Sequence, residues 1–209
     1  MHFEPDAIYH IYNRSNEVVF YSRNNYLFFL SKIQKLIVPV CDILAWVLMP
    51  NHFHLLIRAT ENSCINVSEK HRPDTQLLSK NIGVVLSSYT QAINTQEKRR
   101  GNLFAHKTKS KMLNEEYLNL PINSNNLNIN QPDYLTTCFL YIHQNPVIAG
   151  LVTILEDWEF SSFRDFAGLR NGKLVNKKLA SEYIDLDFGN FYEQSKCLVD
   201  DDLLRKLFP

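Results

Sequence analysis

Met49-Pro50-Asn51-His52-Phe53-His54-Leu55-Leu56-Ile57 governs how the rest of the chain is read, because it sets two imidazoles one residue apart in an apolar, strand-like run. Alternate side chains of a strand share a face, so His52 and His54 project together while Phe53 and Leu55 project the other way. Two neutral imidazoles on one face can chelate a cation. Equally, they can be hydrogen-bonded polar groups on the open side of a sheet, just past a turn at Pro50-Asn51. The flanking residues 42–48 and 53–59 are predicted strands, joined at that turn into an antiparallel hairpin.

The second informative stretch is Phe139-Leu140-Tyr141-Ile142-His143-Gln144-Asn145-Pro146. Gln131-Pro132-Asp133 ahead of it carries helix-start signals, a proline for the first turn and an acid beside it. Asn145-Pro146 is expected to close the helix, because the residue before a proline is pushed out of the helical region. Tyr141 and Asn145, four apart, share a helical face, whereas His143 falls on roughly the opposite face and reads as structural. A phenol is a nucleophile and an amide oxygen is a hard ligand. Laid against the histidine strand, such a helix assembles a cation site with a tyrosine over it. Taken singly, Tyr141 also fits an ordinary core tyrosine, and Asn145 a partner for carbonyls at the helix end.

His52-Phe53-His54 resembles the His-hydrophobe-His motif of HUH-type single-strand transposases, and Tyr141 with Asn145 resembles the nucleophile and third metal ligand of their catalytic helix. The chain is most similar to the REP-associated tyrosine transposases, or IS200-like family. The likeness includes Tyr9-His10-Ile11-Tyr12-Asn13-Arg14, then Trp46 through His54, then Tyr141-Ile142-His143-Gln144-Asn145-Pro146-Val147-Ile148-Ala149-Gly150-Leu151-Val152, and last Asp157-Trp158-Glu159-Phe160-Ser161-Ser162-Phe163. These run in the family's order over about residues 8–168. The resemblance implies a ferredoxin-like fold with His52, His54 and Asn145 as metal ligands, Tyr141 as catalytic nucleophile, DNA as partner, and a homodimer as one arrangement.

The remaining segments agree with an α+β fold. Residues 8–13 alternate as a strand, 26–38 have helical spacing until Pro39 stops them, and 77–95 form a second long helix. Residues 102–111 are expected to be a short strand with Lys107, Lys109 and Lys111 on one face. This order predicts a ferredoxin-like antiparallel sheet backed by helices, with a C-terminal helical extension. A catalytic domain over residues 1–168 would include an asparagine-rich loop at 114–131, too polar to bury. Residues 169–209, with one or two short helices after a glycine-containing linker, would be an extension of unknown role.

Composition sets outer bounds. A chain of 209 residues with 45% hydrophobic content can bury a sizeable core. No run approaches the roughly 18 apolar residues of a membrane span, and the start lacks the pattern of a secretory signal. Four scattered cysteines, Cys41, Cys64, Cys138 and Cys197, are expected to be reduced, which places the chain in the cytoplasm, at the nucleoid when bound to DNA. The formal net charge is zero, which argues against a general nucleic-acid binder, but the distribution is uneven. Lys98, Arg99, Arg100, Lys107, Lys109 and Lys111 lie in a run without acids, while Glu182, Asp185, Asp187, Glu193 and Asp200 to Asp202 gather near the end. Such a run is either a solvated hairpin edge or a phosphate-binding patch, to which Arg14 of the first strand would add. Phe104 and Tyr89 beside it fit core packing or base stacking.

Phosphodiester transfer needs the phosphate charge neutralised and a nucleophile held in line. Two imidazoles and an amide oxygen, with no thiolate, suit Mg2+ or Mn2+ and leave about three octahedral positions open. The expected activity is therefore metal-dependent cleavage and rejoining of single-stranded or hairpin DNA through a covalent phosphotyrosine. The alternatives are a DNA-hairpin-binding module with little or no cleavage, and a phosphodiesterase in which water replaces Tyr141.

Overall fold

The structure is a computed structural model that describes residues 1–67, 73–114 and 134–196. Its centre is one four-stranded sheet in the order β2-β3-β1-β4, built from β1 (Ile8–Arg14), β2 (Cys41–Met49), β3 (His52–Ala59) and β4 (Lys109–Met112). Every pairing is antiparallel. Helix α1 (Arg23–Leu36) connects β1 to β2, and α3 (Leu77–Gln96) follows β3 after the short α2 (Glu61–Cys64). This is the strand-helix-strand-strand-helix-strand order of a ferredoxin-like fold, with Tyr134–Ile148 (α4) added after β4.

Both sheet faces are covered, so β2 and β3 are buried along nearly their whole length. On one face Tyr9, Ile11, Phe53, Leu55 and Ile57 pack with Phe29 and Ile33 of α1 and with Ile82, Val85 and Tyr89 of α3. On the other, Ala45, Val47, Met49 and Leu56 pack with Leu135, Cys138, Phe139 and Ile142 of α4. The alternation of β3 thus sends Phe53 to the first face and leaves its histidines to the second. Tyr89 and Phe104 are core residues, both buried in the first cluster.

Helix α1 begins before its apolar spacing does. Ser22 is a capping position, where the Asn25 side chain accepts hydrogen bonds from the backbone N–H of Tyr21 and Ser22. The hairpin of β2 and β3 turns at Pro50-Asn51, and its tip is clasped from outside. The N–H of Val19 donates to the Pro50 carbonyl at 2.7 Å, and that of Ser15 to the Asn51 carbonyl at 2.8 Å.

The expected strand at 102–111 is shorter in the structure. Leu103 and Phe104 turn into the first core, and the Asn13 amide donates to the Ala105 carbonyl and the Thr108 hydroxyl, each at 3.0 Å. That side chain replaces the ladder, so pairing begins only at Lys109, and Lys107 lies outside the strand.

Helix α4 also departs from expectation: it runs through Pro146 to Ile148. A proline this near a C-terminus removes a single ladder bond, and the N–H of Ala149 still donates to the Asn145 carbonyl at 2.9 Å. The helix-start signal at 131–133, all of the 114–131 loop beyond Asn114, Cys197 and the end of the chain lie outside the described residues.

After α4 the chain returns along the free edge of β2. The N–H of Leu48 donates to the Phe160 carbonyl and that of Ser162 to the Trp46 carbonyl, both at 2.9 Å, which blunts an otherwise open sheet edge. Residues 163–166 form the short α5, and the following stretch bridges Val175 to Ile43 before α6 (Lys177–Tyr183) and α7 (Phe191–Gln194). Cys41, Cys64 and Cys138 are free thiols, the first and last buried. Among the described residues no helix is long and apolar enough to cross a membrane.

Candidate nucleic-acid-processing site

Sheet register decides which side chains meet. Tyr12 pairs with His54 and Arg14 with His52, so His10, Tyr12 and Arg14 share a face with the histidine pair. Lys109 is opposite Tyr12 and Lys111 opposite His10, which brings two lysines of the basic run to that face. Helix α4 lies across it.

Asn145 is where the two elements meet. Its side chain, 5% exposed, lies beside the Tyr141 phenol one turn earlier and the His52 ring across the gap. Its amide nitrogen is also 3.4 Å from Nε2 of His54. The Tyr141 and His54 rings meet edge to face at 5.8 Å between centroids, and the His52 and His54 rings do so at 5.0 Å. Continuation of the helix through Pro146 keeps Asn145 in register with Tyr141.

Burial makes the imidazoles neutral. His52 is lowered to about 4, first by desolvation and then by the neighbouring Arg14 charge. His54 is held well below the ordinary value by burial, with His10, His52 and Arg14 adding to the effect. His10 falls to about 3, from burial and the Lys111 charge. At neutral pH each ring is an uncharged imidazole, with one N–H and one lone pair. The Tyr141 phenol is raised, chiefly by burial, and the adjoining Asn145 side chain and the Arg14 charge only partly oppose this. It is therefore a protonated phenol at neutral pH.

Among the described residues no group of three or more His, Cys, Asp or Glu side chains converges on one point. The donors facing a common space are instead two imidazoles and one carboxamide, His52, His54 and Asn145. A neutral nitrogen pair with one oxygen fits a six-coordinate divalent ion and gives no thiolate for structural zinc.

The basic residues divide into several groups. Arg14 and Lys109 are exposed at the site face. Lys111 is directed inward, hydrogen-bonded to the Tyr134 hydroxyl with its ammonium over that ring at 4.8 Å. Lys98 and Arg100 are exposed beyond α3, while Arg99 pairs with Glu17 at 3.0 Å, tying the run to the loop that follows Arg14. Lys107 instead lines a groove of about 970 Å³ between α3 and residues 102–108, away from the histidines. His143 is remote from the cation donors: its Nε2 is 2.7 Å from the Ser162 hydroxyl, among Phe139, Phe163, Phe166 and Phe191. Sequence reasoning underweighted His10 and Asn51, each bonded directly to one histidine of the pair. Their signals were the alternation of β1 and a carboxamide adjoining His52.

The fold is shared with a solved structure described as a REP-associated tyrosine transposase bound to a REP hairpin. The match covers 84% of this chain and 92% of that one at a TM-score of 0.52 and 18% identity. No family model matches the chain, and no curated protein sequence does.

Proposed function

We propose that the protein is a divalent-metal-dependent DNA strand transferase that cuts and rejoins single-stranded or hairpin DNA through Tyr141. The observation that carries this reading is the Asn145 amide, buried beside a phenol and a neutral imidazole, with a second neutral imidazole 3.4 Å from its nitrogen. A fold shared with a hairpin-bound transposase supports DNA as the substrate class.

His52, His54 and Asn145 would hold the cation. When bound, it supplies charge neutralisation at the non-bridging oxygens of the scissile phosphate and a polarising charge beside the phenol. Helix α4 presents Tyr141 from the side opposite the sheet, so the phenolic oxygen would approach phosphorus while His52 and His54 of β3, with Asn145 of α4, would hold the cation. A bond forms between Oη and phosphorus, the P–O3′ bond breaks, the phenol gives up its proton, and the departing 3′ oxygen takes one. The new phosphotyrosine keeps an ester of similar energy, so the 3′ hydroxyl can reverse the step without ATP. Arg14 and Lys109 flank the site and would contact phosphates on either side of the cut.

A second reading, a hairpin-binding module with little cleavage, draws on the burial that keeps Tyr141 protonated. Incubating purified protein with labelled hairpin and single-stranded DNAs and Mn2+ or Mg2+, followed by denaturing electrophoresis, separates the readings. A metal-dependent covalent band absent in Tyr141→Phe and in His52→Ala is expected. Cleavage that persists in Tyr141→Phe would instead identify water as nucleophile, and tight binding without cleavage would favour the binding module.

A further inference from the structure

His10 is entirely buried, at 0% exposure, yet belongs to neither apolar cluster. Its Nε2 is 2.8 Å from Nδ1 of His54. The two rings are 12° from parallel with centroids 5.0 Å apart, a spacing that, with the short nitrogen-to-nitrogen distance, makes this an edge-to-edge bond in the ring planes. Tyr12 lies parallel to His10 at 5.0 Å and fixes its plane. The arrangement repeats at His52, whose Nδ1 is 2.7 Å from Oδ1 of Asn51. Both histidines of the pair thus have Nδ1 engaged by a neighbour, and the Nε2 of His54 is directed at Asn145.

Tautomers follow from these partners. Asn51 Oδ1 only accepts, so His52 must donate from Nδ1 and keep its lone pair on Nε2. For His54, the Asn145 amide nitrogen donates toward Nε2, which assigns the ring proton to Nδ1 and makes His10 Nε2 the acceptor.

We infer that His10 is a positioning residue that locks His54 as the Nδ1–H tautomer, presenting its Nε2 lone pair to the cation position beside Asn145. The consequence for metal binding rests on the reading of His52, His54 and Asn145 as ligands; the tautomer itself does not. Outer partners of this kind commonly change metal affinity by about 10- to 100-fold when removed. Leucine at position 10 fills similar space without an acceptor, whereas a glutamine carbonyl can replace the ring nitrogen.

The test is nitrogen NMR of metal-free protein labelled at histidine, with the His54 signals identified by their loss in His54→Asn, alongside direct Mn2+ titration. Wild-type His54 is expected to be protonated at Nδ1. His10→Leu should abolish that preference and weaken Mn2+ binding by about 10-fold or more, and His10→Gln should restore both to near the wild-type values. A wild-type His54 protonated at Nε2 overturns the inference, whether or not His10→Leu folds. So does a folded His10→Leu protein with unchanged tautomer and Mn2+ affinity. Failure of wild-type protein to bind Mn2+ would count against the ligand set instead, leaving the tautomer spectrum to decide on His10.

Discussion

Phe53 and His54 are adjacent on β3 and almost equally buried, at 1% and 3% exposure, yet they enter different surroundings. Phe53 packs against Phe29 and Phe104 on the side of α1 and α3, where its ring contacts are apolar and each large buried side chain contributes stability of about 1.5–3 kcal/mol. His54 sits among His10, His52, Tyr12, Tyr141 and Asn145 under α4, where burial of polar groups costs free energy unless each is hydrogen-bonded. Apolar packing on both faces is what the chain needs in order to fold. Folding alone gives no reason for the polar cluster around His54, and that contrast is the physical case for a functional site between β3 and α4.

The contrast can be broken most decisively at Tyr141. Tyr141→Phe should eliminate the covalent DNA species while costing only about 1 kcal/mol of stability, the worth of one hydrogen bond; comparing adduct yield with the urea midpoint tests both halves. A variant as destabilised as a core truncation would make Tyr141 a packing residue. The opposite pattern is expected across the sheet. Phe29→Ala should lower stability by about 3–5 kcal/mol, with Mn2+ affinity unchanged under conditions where the protein remains folded. Loss of Mn2+ binding there would mean that the two faces are not independent.

Acid should distinguish the faces next. His10, His52, His54 and His143 all lie on the α4 side and are neutral when folded, with the protonation of His52 lowered to about 4 and of His10 and His143 to about 3. Unfolded histidine takes its proton near pH 6.5, so between there and about 4 the unfolded state binds more protons than the folded one. Stability is therefore full above about 6.5 and falls as pH drops, each histidine steepening the fall by about 1.4 kcal/mol per pH unit. Hydrogen exchange should show α4 amides losing protection on acidification before those of α1. Simultaneous loss would tie the acid response to global unfolding alone. The smallest effect is expected at the rim: Lys109→Ala should reduce the salt slope of DNA binding by about one, and no change would remove Lys109 from the interface.

Much of the fold was legible because its signals are local. Alternation marked β1 and the hairpin, helical spacing marked α1 and α3, and the register of His52 with His54 followed from the period of a strand. The errors arose where a long-range contact overrode a local rule. Asn13 diverts residues 105–108 and removes Lys107 from the strand, while packing of α4 on the sheet carries the helix through Pro146. At the site, Tyr141, Asn145, His52 and His54 could be placed on elements from the sequence, but their meeting could not. It depends on α4 crossing β3, and the parts played by His10 and Asn51 depend on register and rotamer, which no single stretch encodes.

The most direct measurement is mass mapping of the protein after incubation with Mn2+ and a hairpin DNA, nuclease trimming and proteolysis. A nucleotide mass on Tyr141, formed only with metal and released when 3′-hydroxyl DNA is supplied, is the predicted result. Cleaved DNA with no nucleotide on any tyrosine, or an adduct on a residue outside the β3–α4 cluster, would contradict the account.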